Sequence, residues 1–216
     1  IEITDSIKYA KNIQEALLPS LNEIDKLFAN SFVLYMPKDI VSGDFYWFAK
    51  NGNTRFIAAV DCTGHGVPGA FMSIVGNTLL NEIVNEKKIT VPGDILLELH
   101  KGVKIALNQN AMEFERRDGM DITLCAFTDG SNEVQYAGAN RPLWIYRKDR
   151  NYELEIIKAT KFPIGGLELE EARVYQNHIV QLNNGDCLYL FSDGYADQFG
   201  GPKGKKFMLT NLQKVL

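Results

Sequence analysis

Apolar residues first recur along the chain at helical spacing. Ile3, Ile7, Ala10, Gln14 and Leu17 follow a 4-3-4-3 step, with Ile13 and Leu18 alongside and Pro19 closing the segment. The spacing predicts an amphipathic helix over residues 1–20 with a coiled-coil-like seam, which either packs on its own domain or serves as a dimerising or signal-transmitting linker. The period then falls to two. Ser31 to Met36 and Ser42 to Ala49 read as two strands joined through a loop that presents Asp44, and Asn51-Gly52 is a hairpin signal leading into the run that ends at Asp61. Helical spacing returns over residues 67–88, with Phe71, Ile74, Val75, Leu79, Leu80 and Ile83 as the expected core stripe, and over residues 92–109, with Ile95, Leu96, Leu99, Val103 and Leu107. His100, on the second of these helices, has no evident partner and reads as a surface or packing histidine. From Asp121 strands follow again: Ile122 to Phe127, Glu133 to Ala137, Leu143 to Tyr146, Leu154 to Lys158, then a last pair over about 172–182 and 186–192 around the turn Asn183-Asn184-Gly185-Asp186. Residues 207–216 begin a helix. Strands, two helices and then many strands, without βαβ alternation, predict an α+β body of mainly antiparallel sheets flanked by helices over residues 21–216.

Composition narrows the class without changing that picture. A chain of 216 residues with 45% apolar residues suits one domain with an appendage, and a net charge of −4 gives no reason to expect nucleic acid as a partner. Lys203, Lys205 and Lys206 read as a solvated loop. Cys62, Cys125 and Cys187 lack metal-ligand spacing and read as buried free thiols of a reducing compartment. No apolar run approaches the roughly 18 residues needed to cross a bilayer, so the expectation is a cytoplasmic domain, or the cytoplasmic part of a membrane-bound sensor. The abrupt start at Ile1 reads as a cut from something longer.

Chemistry enters with three aspartates. An apolar run ends at Asp61 and passes through the turn Cys62-Thr63-Gly64-His65-Gly66 into a helix; a second ends at Asp193 beside Gly194; Asp44 follows Gly43. Carboxylates at the mouths of apolar strands are costly to bury unless paired or bound to a cation, and oxygen donors suit hard divalent ions. Asp118 and Asp121 face a loop that belongs either to this neighbourhood or to turn chemistry, and Asp197, four residues after Asp193, either orders metal-bound water or caps its turn.

Five ordered motifs spanning nearly the whole chain resemble the metal-dependent protein phosphatases of the PPM (protein phosphatase 2C) superfamily, in its bacterial SpoIIE-like branch. They are Gln14-Glu15-Ala16-Leu17-Leu18-Pro19, Ser42-Gly43-Asp44-Phe45-Tyr46, Asp61-Cys62-Thr63-Gly64-His65-Gly66, Tyr136-Ala137-Gly138-Ala139-Asn140-Arg141-Pro142-Leu143 and Ser192-Asp193-Gly194-Tyr195-Ala196-Asp197-Gln198. The resemblance implies an α-β-β-α sandwich and a centre for two Mn²⁺ or Mg²⁺ ions. Asp61 would bridge them, Cys62 would offer its backbone carbonyl, Asp193 would bind from the other sheet, and Asp44 would act directly or through water. His65 is placed as a general acid or, better, as a brace for its turn, and Lys38 as a weak stand-in for the family's phosphate-binding arginine. The family's remaining metal aspartate lies in a later motif that the chain does not reach, so the expectation is a truncated domain whose second ion is either weakly held or absent, the latter leaving this fragment inactive. Asn140 replaces the carboxylate of the third site found in some relatives, which predicts no third ion. The implied activity is hydrolysis of phosphoserine or phosphothreonine on a bacterial regulatory protein, such as a phosphorylated anti-sigma-factor antagonist, under an upstream sensor and in a possible homodimer. The rival readings are a non-catalytic signalling module and a different metal hydrolase; the latter would call for His-rich spacing that the chain lacks.

Overall fold

The structure, a computed structural model, describes residues 2–109, 118–166, 173–202 and 204–216. The chain opens with α1 (Glu2–Leu17) and α2 (Leu21–Leu27). The predicted seam of α1 divides: Gln14 is buried and Ile7 and Ala10 are half-buried, whereas Ile3, Tyr9, Ile13 and Leu17 are exposed. Residues 31–36, expected as a strand, take no regular secondary structure and join no sheet among the described residues. Phe32, Leu34 and Met36 stay exposed while Ser31, Val33 and Tyr35 are half-buried, so the period of two appears in the burial without a pairing neighbour.

β1 (Phe45–Asn51) and β2 (Thr54–Cys62) form the predicted hairpin, closed between the Asn51–Thr54 pair by Gly52 and Asn53, with Gly52 at φ 57°. α3 (Gly66–Asn81) runs into a π-helical turn, Glu82–Glu86, that carries Ile83 and Val84 into the core, and α4 (Pro92–Ala106) starts with proline in its first turn. Phe71 is exposed, against expectation. The helix turns its small residues Gly69, Ala70, Ser73 and Gly76 inward instead, so that Gly76 meets Phe45 and Met120 closely. Large apolar residues alone therefore misjudge the face.

The remaining elements are β3 (Gly119–Thr128), β4 (Glu133–Ala139), β5 (Leu143–Arg147), β6 (Glu153–Ile157), β7 (Ile164–Gly165), β8 (His178–Gln181), β9 (Cys187–Tyr189), the ribbon β10 (Phe199–Gly200) with β11 (Lys205–Lys206), and α5 (Leu209–Val215). One sheet has the order β1-β2-β3-β4-β8 with β7 on β3, and a second has the order β6-β5-β9; every pairing of these strands is antiparallel. The last two long strands are not partners: β8 joins the first sheet and β9 the second, so the turn at residues 183–186 is a crossing between layers. Lys203 and the beginning of the predicted 172–182 strand lie outside the described residues. Cys187 is exposed at the start of β9, whereas Cys62 and Cys125 are buried.

The layers follow from the alternation of side chains. Trp47, Phe56, Val60, Ile122 and Leu124 face α3 and α4, where they meet Leu80, Ile95, Leu96 and Leu99. Cys125, Val134 and Tyr136 face the other way and pack on Leu143, Ile145 and Val180 between the sheets. Outside the second sheet, Tyr146 donates its hydroxyl to the Gln213 carbonyl of α5 (2.9 Å). The result is the helix-sheet-sheet-helix architecture that the family resemblance implied, built of the antiparallel sheets expected from the order of elements.

Candidate metal centre

Register brings the acidic residues together. Phe45 pairs with Val60, so Asp44, one residue earlier, stands opposite Asp61; Asp61 in turn pairs directly with Asp121. Directly opposite residues of an antiparallel pair share a face, and here it is the face turned toward the second sheet. Asn140, at the end of β4, extends the row by donating its amide to Asp121 Oδ1 (2.8 Å). The second sheet supplies the rest: four residues after β9, Asp193 directs its backbone N–H at Asp61 Oδ2 (3.4 Å), and the Ser192 hydroxyl donates to Asp44 Oδ2 (2.5 Å). A Cβ on Gly43 would collide with the Gly64 carbonyl and press on that of Cys62, so the loop before Asp44 can lie against the turn after Asp61 only as glycine.

The row is crowded with negative charge. Burial and the neighbouring Asp44 push the Asp61 carboxyl up to about 7, although Arg141 opposes the shift. Burial also raises Asp44, against hydrogen bonds from Ser192 and Asp61, and raises Asp121 against the bond from Asn140. The charges of Asp44 and Asp193 add to the cost of ionising Asp61. Arg141 is the cation in their midst. It donates from Nη2 to Asp61 Oδ2 and to Asp193 Oδ2, the latter at 2.7 Å, and its Nε stands 3.6 Å from Asp121 Oδ2. Burial works against its charge, but Asp61 and Asp193 outweigh that and raise its pKa.

The site brings together Asp44, Asp61, Asp121 and Asp193, with Gly194 packed beside Asp44 and Ser192. The other candidates lie elsewhere. His65 is exposed and pairs through Nδ1 with Asp39 (2.9 Å) at the start of α3, so it braces its turn rather than facing the carboxylates. The Cys62 side chain points into the core. Asp118 contributes its carbonyl, which accepts from the Gln109 side chain (2.5 Å), and Asp197 pairs with Lys206 of the ribbon (2.7 Å). Lys38 is exposed and makes no hydrogen bond or ion pair among the described residues. His100, expected to lack a partner, is buried and accepts from the Gly165 N–H (3.0 Å) at Nδ1. Sequence reasoning gave no role to Arg141, Ser192 or Asp39. The first two sit inside quoted motifs next to functional residues, which was the available signal.

Among the described residues, no three acidic, histidine or cysteine side chains are gathered closely enough to make a finished cation shell. The donor chemistry nevertheless fits a hard divalent ion. Carboxylate oxygens from both sheets converge, and the raised carboxyls of Asp61 and Asp44 mark negative charge that a cation would neutralise.

Comparison with known proteins identifies the family and the fold. The family model described as Stage II sporulation protein E (SpoIIE) matches residues 51–216. Phosphoserine phosphatase RsbU of Bacillus subtilis (strain 168) is 24% identical over 197 residues, which make up 91% of this chain and 55% of that protein. The chain thus spans about half the length of the curated relative it matches. Among solved structures, the SiaA-PP2C domain of Pseudomonas aeruginosa superimposes with a TM-score of 0.83 at 29% identity, covering 100% of this chain and 81% of that one. The PP2C phosphatase domain of SpoIIE from Bacillus subtilis, solved with a fragment of its regulatory domain, shares the fold at a TM-score of 0.54 and 21% identity, over 72% of this chain and 41% of that one.

Proposed function

The chain belongs to the SpoIIE family, and from that premise we propose that it is a divalent-metal-dependent protein phosphatase acting on phosphoserine or phosphothreonine of a bacterial regulatory protein in the cytoplasm. The observation that carries the reading is the row Asp44, Asp61 and Asp121 across three adjacent strands, met by Asp193 from the second sheet. Asp61, Asp44, Asp193 and the Cys62 carbonyl would hold Mn²⁺ or Mg²⁺. Such ions supply Lewis acidity that makes water nucleophilic near neutral pH and neutralise charge on the phosphoryl group.

The chain's own residues prepare that chemistry. Ser192 and the Asp193 N–H fix the orientations of Asp44 and Asp61, and Asn140 holds Asp121. The Asp193 side chain is 53% exposed, whereas those of Asp61 and Arg141 are each 17% exposed. The site is therefore walled on the sandwich side and open toward a protein-borne phosphate. The name of the RsbU relative supports phosphoserine as the substrate class, and an anti-sigma-factor antagonist is the kind of regulator the reading favours. Residues 1–20 serve as a linker helix in the same proposal, passing the state of an upstream sensor or pairing two copies; the exposed Ile3, Tyr9, Ile13 and Leu17 support it.

Phosphate release from an aryl phosphate and from a phosphopeptide, with and without Mn²⁺, tests the activity. Metal-dependent release is expected, and its absence overturns the enzyme reading; undiminished turnover in Asp61→Ala overturns the site. Mass in solution tests the pairing, which fails if the protein is monomeric with and without residues 1–18.

A further inference from the structure

Arg141 is delivered to the acidic row by a backbone fixed from behind. Its carbonyl accepts from the hydroxyls of Tyr136 (2.8 Å) and Thr123 (3.2 Å), both wholly buried, while Asn140 before it sits at φ 58° and Pro142 follows. A Cβ on Gly138 would strike both that carbonyl and the Tyr136 hydroxyl. The backbone at this position therefore has little freedom, and the side chain is aimed rather than draped.

What it is aimed at is the group of oxygens suited to a cation. Nη2 engages Asp61 Oδ2 and Asp193 Oδ2, while the buried Nε makes no hydrogen bond, its nearest acidic oxygen being Asp121 Oδ2 at 3.6 Å. A planar guanidinium with a buried, unpaired donor is an imperfect occupant. It brings one positive charge to four carboxylates, and a divalent ion brings two. An oxygen lone pair directed at a guanidinium N–H cannot at the same time coordinate an ion.

We propose that Arg141 is the resident counter-charge of the metal-free site and that a divalent cation binds by displacing it from Asp61 and Asp193, so that Arg141 sets the cation affinity and holds the site together without metal. This rests on the metal-centre reading above. It makes Arg141 a positioning residue, coupling the β4–β5 connection to the loading of the site.

Binding of Mn²⁺ measured by calorimetry, with melting temperature in EDTA, tests the idea on the wild-type protein and Arg141→Gln. Charge-assisted hydrogen bonds of this kind correspond to about tenfold or more in an equilibrium. The variant is therefore expected to bind Mn²⁺ about tenfold more tightly and to melt lower than wild type in EDTA. Equal or weaker binding by the variant overturns the proposal while leaving the phosphatase reading intact. Failure of wild type and variant alike to bind Mn²⁺ overturns both. A second measurement needs no variant: the Nε–H resonance of Arg141 in the wild-type protein is expected to leave its ion-paired position when Mg²⁺ is added. A resonance that stays in place while Mg²⁺ binds refutes displacement even if Arg141→Gln does not fold.

Discussion

Asp61 lies at the centre of the row, 17% exposed and beside Asp44, with a carboxyl pushed up to about 7 by burial and by its acidic neighbours. Ionising it in the metal-free protein therefore costs stability, even with Arg141 alongside. Asp61→Asn removes that cost together with the ligand. Turnover is expected to fall by two orders of magnitude or more, in keeping with the several kcal/mol a bound metal contributes. In EDTA at pH 7.5 the same variant is expected to melt a few degrees above wild type, a gain typical of neutralised functional sites. A lower melting temperature would show that the Arg141 ion pair outweighs the crowding. Asp44, Asp61 and Asp193 were legible in the sequence because a carboxylate beside glycine at the end of an apolar run is a local signal. Asp121 could be placed only as an alternative to turn chemistry and Arg141 not at all, because their nearness to Asp61 is set by register between strands far apart in the chain. Asp118, Asp197 and His65 were readable either as site or as turn residues, and His65 on Asp39 and Asp197 on Lys206 take the structural part, since polar residues beside glycine serve turns and ribbons as readily as sites.

At the scale of elements, α1 is joined to the site loop by one buried side chain. Gln14 donates from Nε2 to the Ser42 carbonyl (2.6 Å) and the Ser73 hydroxyl (2.7 Å), while its Oε1 accepts from the Ser42 N–H (3.0 Å). Ser42 lies two residues before Asp44, so the helix, α3 and the acidic loop are tied at a single point. Gln14→Ala leaves a buried N–H and a buried carbonyl unpaired, at about 1–3 kcal/mol for each group. A fall in melting temperature on the order of 10 °C is expected for a domain of this size, measured by thermal unfolding; a change within 2 °C would show that water replaces the amide. The helices and most strands could be read from period alone. Residues 31–36 and Phe71 could not, since an alternating pattern does not name a pairing partner and small residues can take the inward face of a helix. The destinations of β8 and β9 depend on a crossing that turn chemistry between them does not reveal.

For the whole molecule that crossing is a polar clamp between the sheets. Arg147 on β5 donates to Glu155 Oε2 (2.7 Å), Asp186 Oδ2 (2.8 Å) and the Gln181 carbonyl (2.8 Å), and Asp186 also accepts from the Lys148 and Asn183 N–H groups (both 3.0 Å). Removing one partner strands the other, so Arg147→Ala is expected to cost about 3 kcal/mol in denaturant unfolding. The acid response of the fold rests on a different buried group. Burial first, then the charges of Arg173 and Lys104, lower His100 to about 4 from an ordinary value of 6.5. Between those values the unfolded chain takes up a proton that the native one refuses, so this contribution to stability is intact above pH 6.5 and is lost as pH falls toward 4. Asp61 acts with the opposite sign: its raised carboxyl makes the metal-free native state the better proton acceptor from about 4 to 7, so its contribution rises as pH falls. The two oppose each other over the same interval and partly cancel in the metal-free wild type. Melting curves in EDTA from pH 7.5 to 4 separate them. His100→Gln is expected to flatten the acid-side loss and Asp61→Asn to steepen it; parallel profiles for all three proteins would mean that neither group governs the acid response.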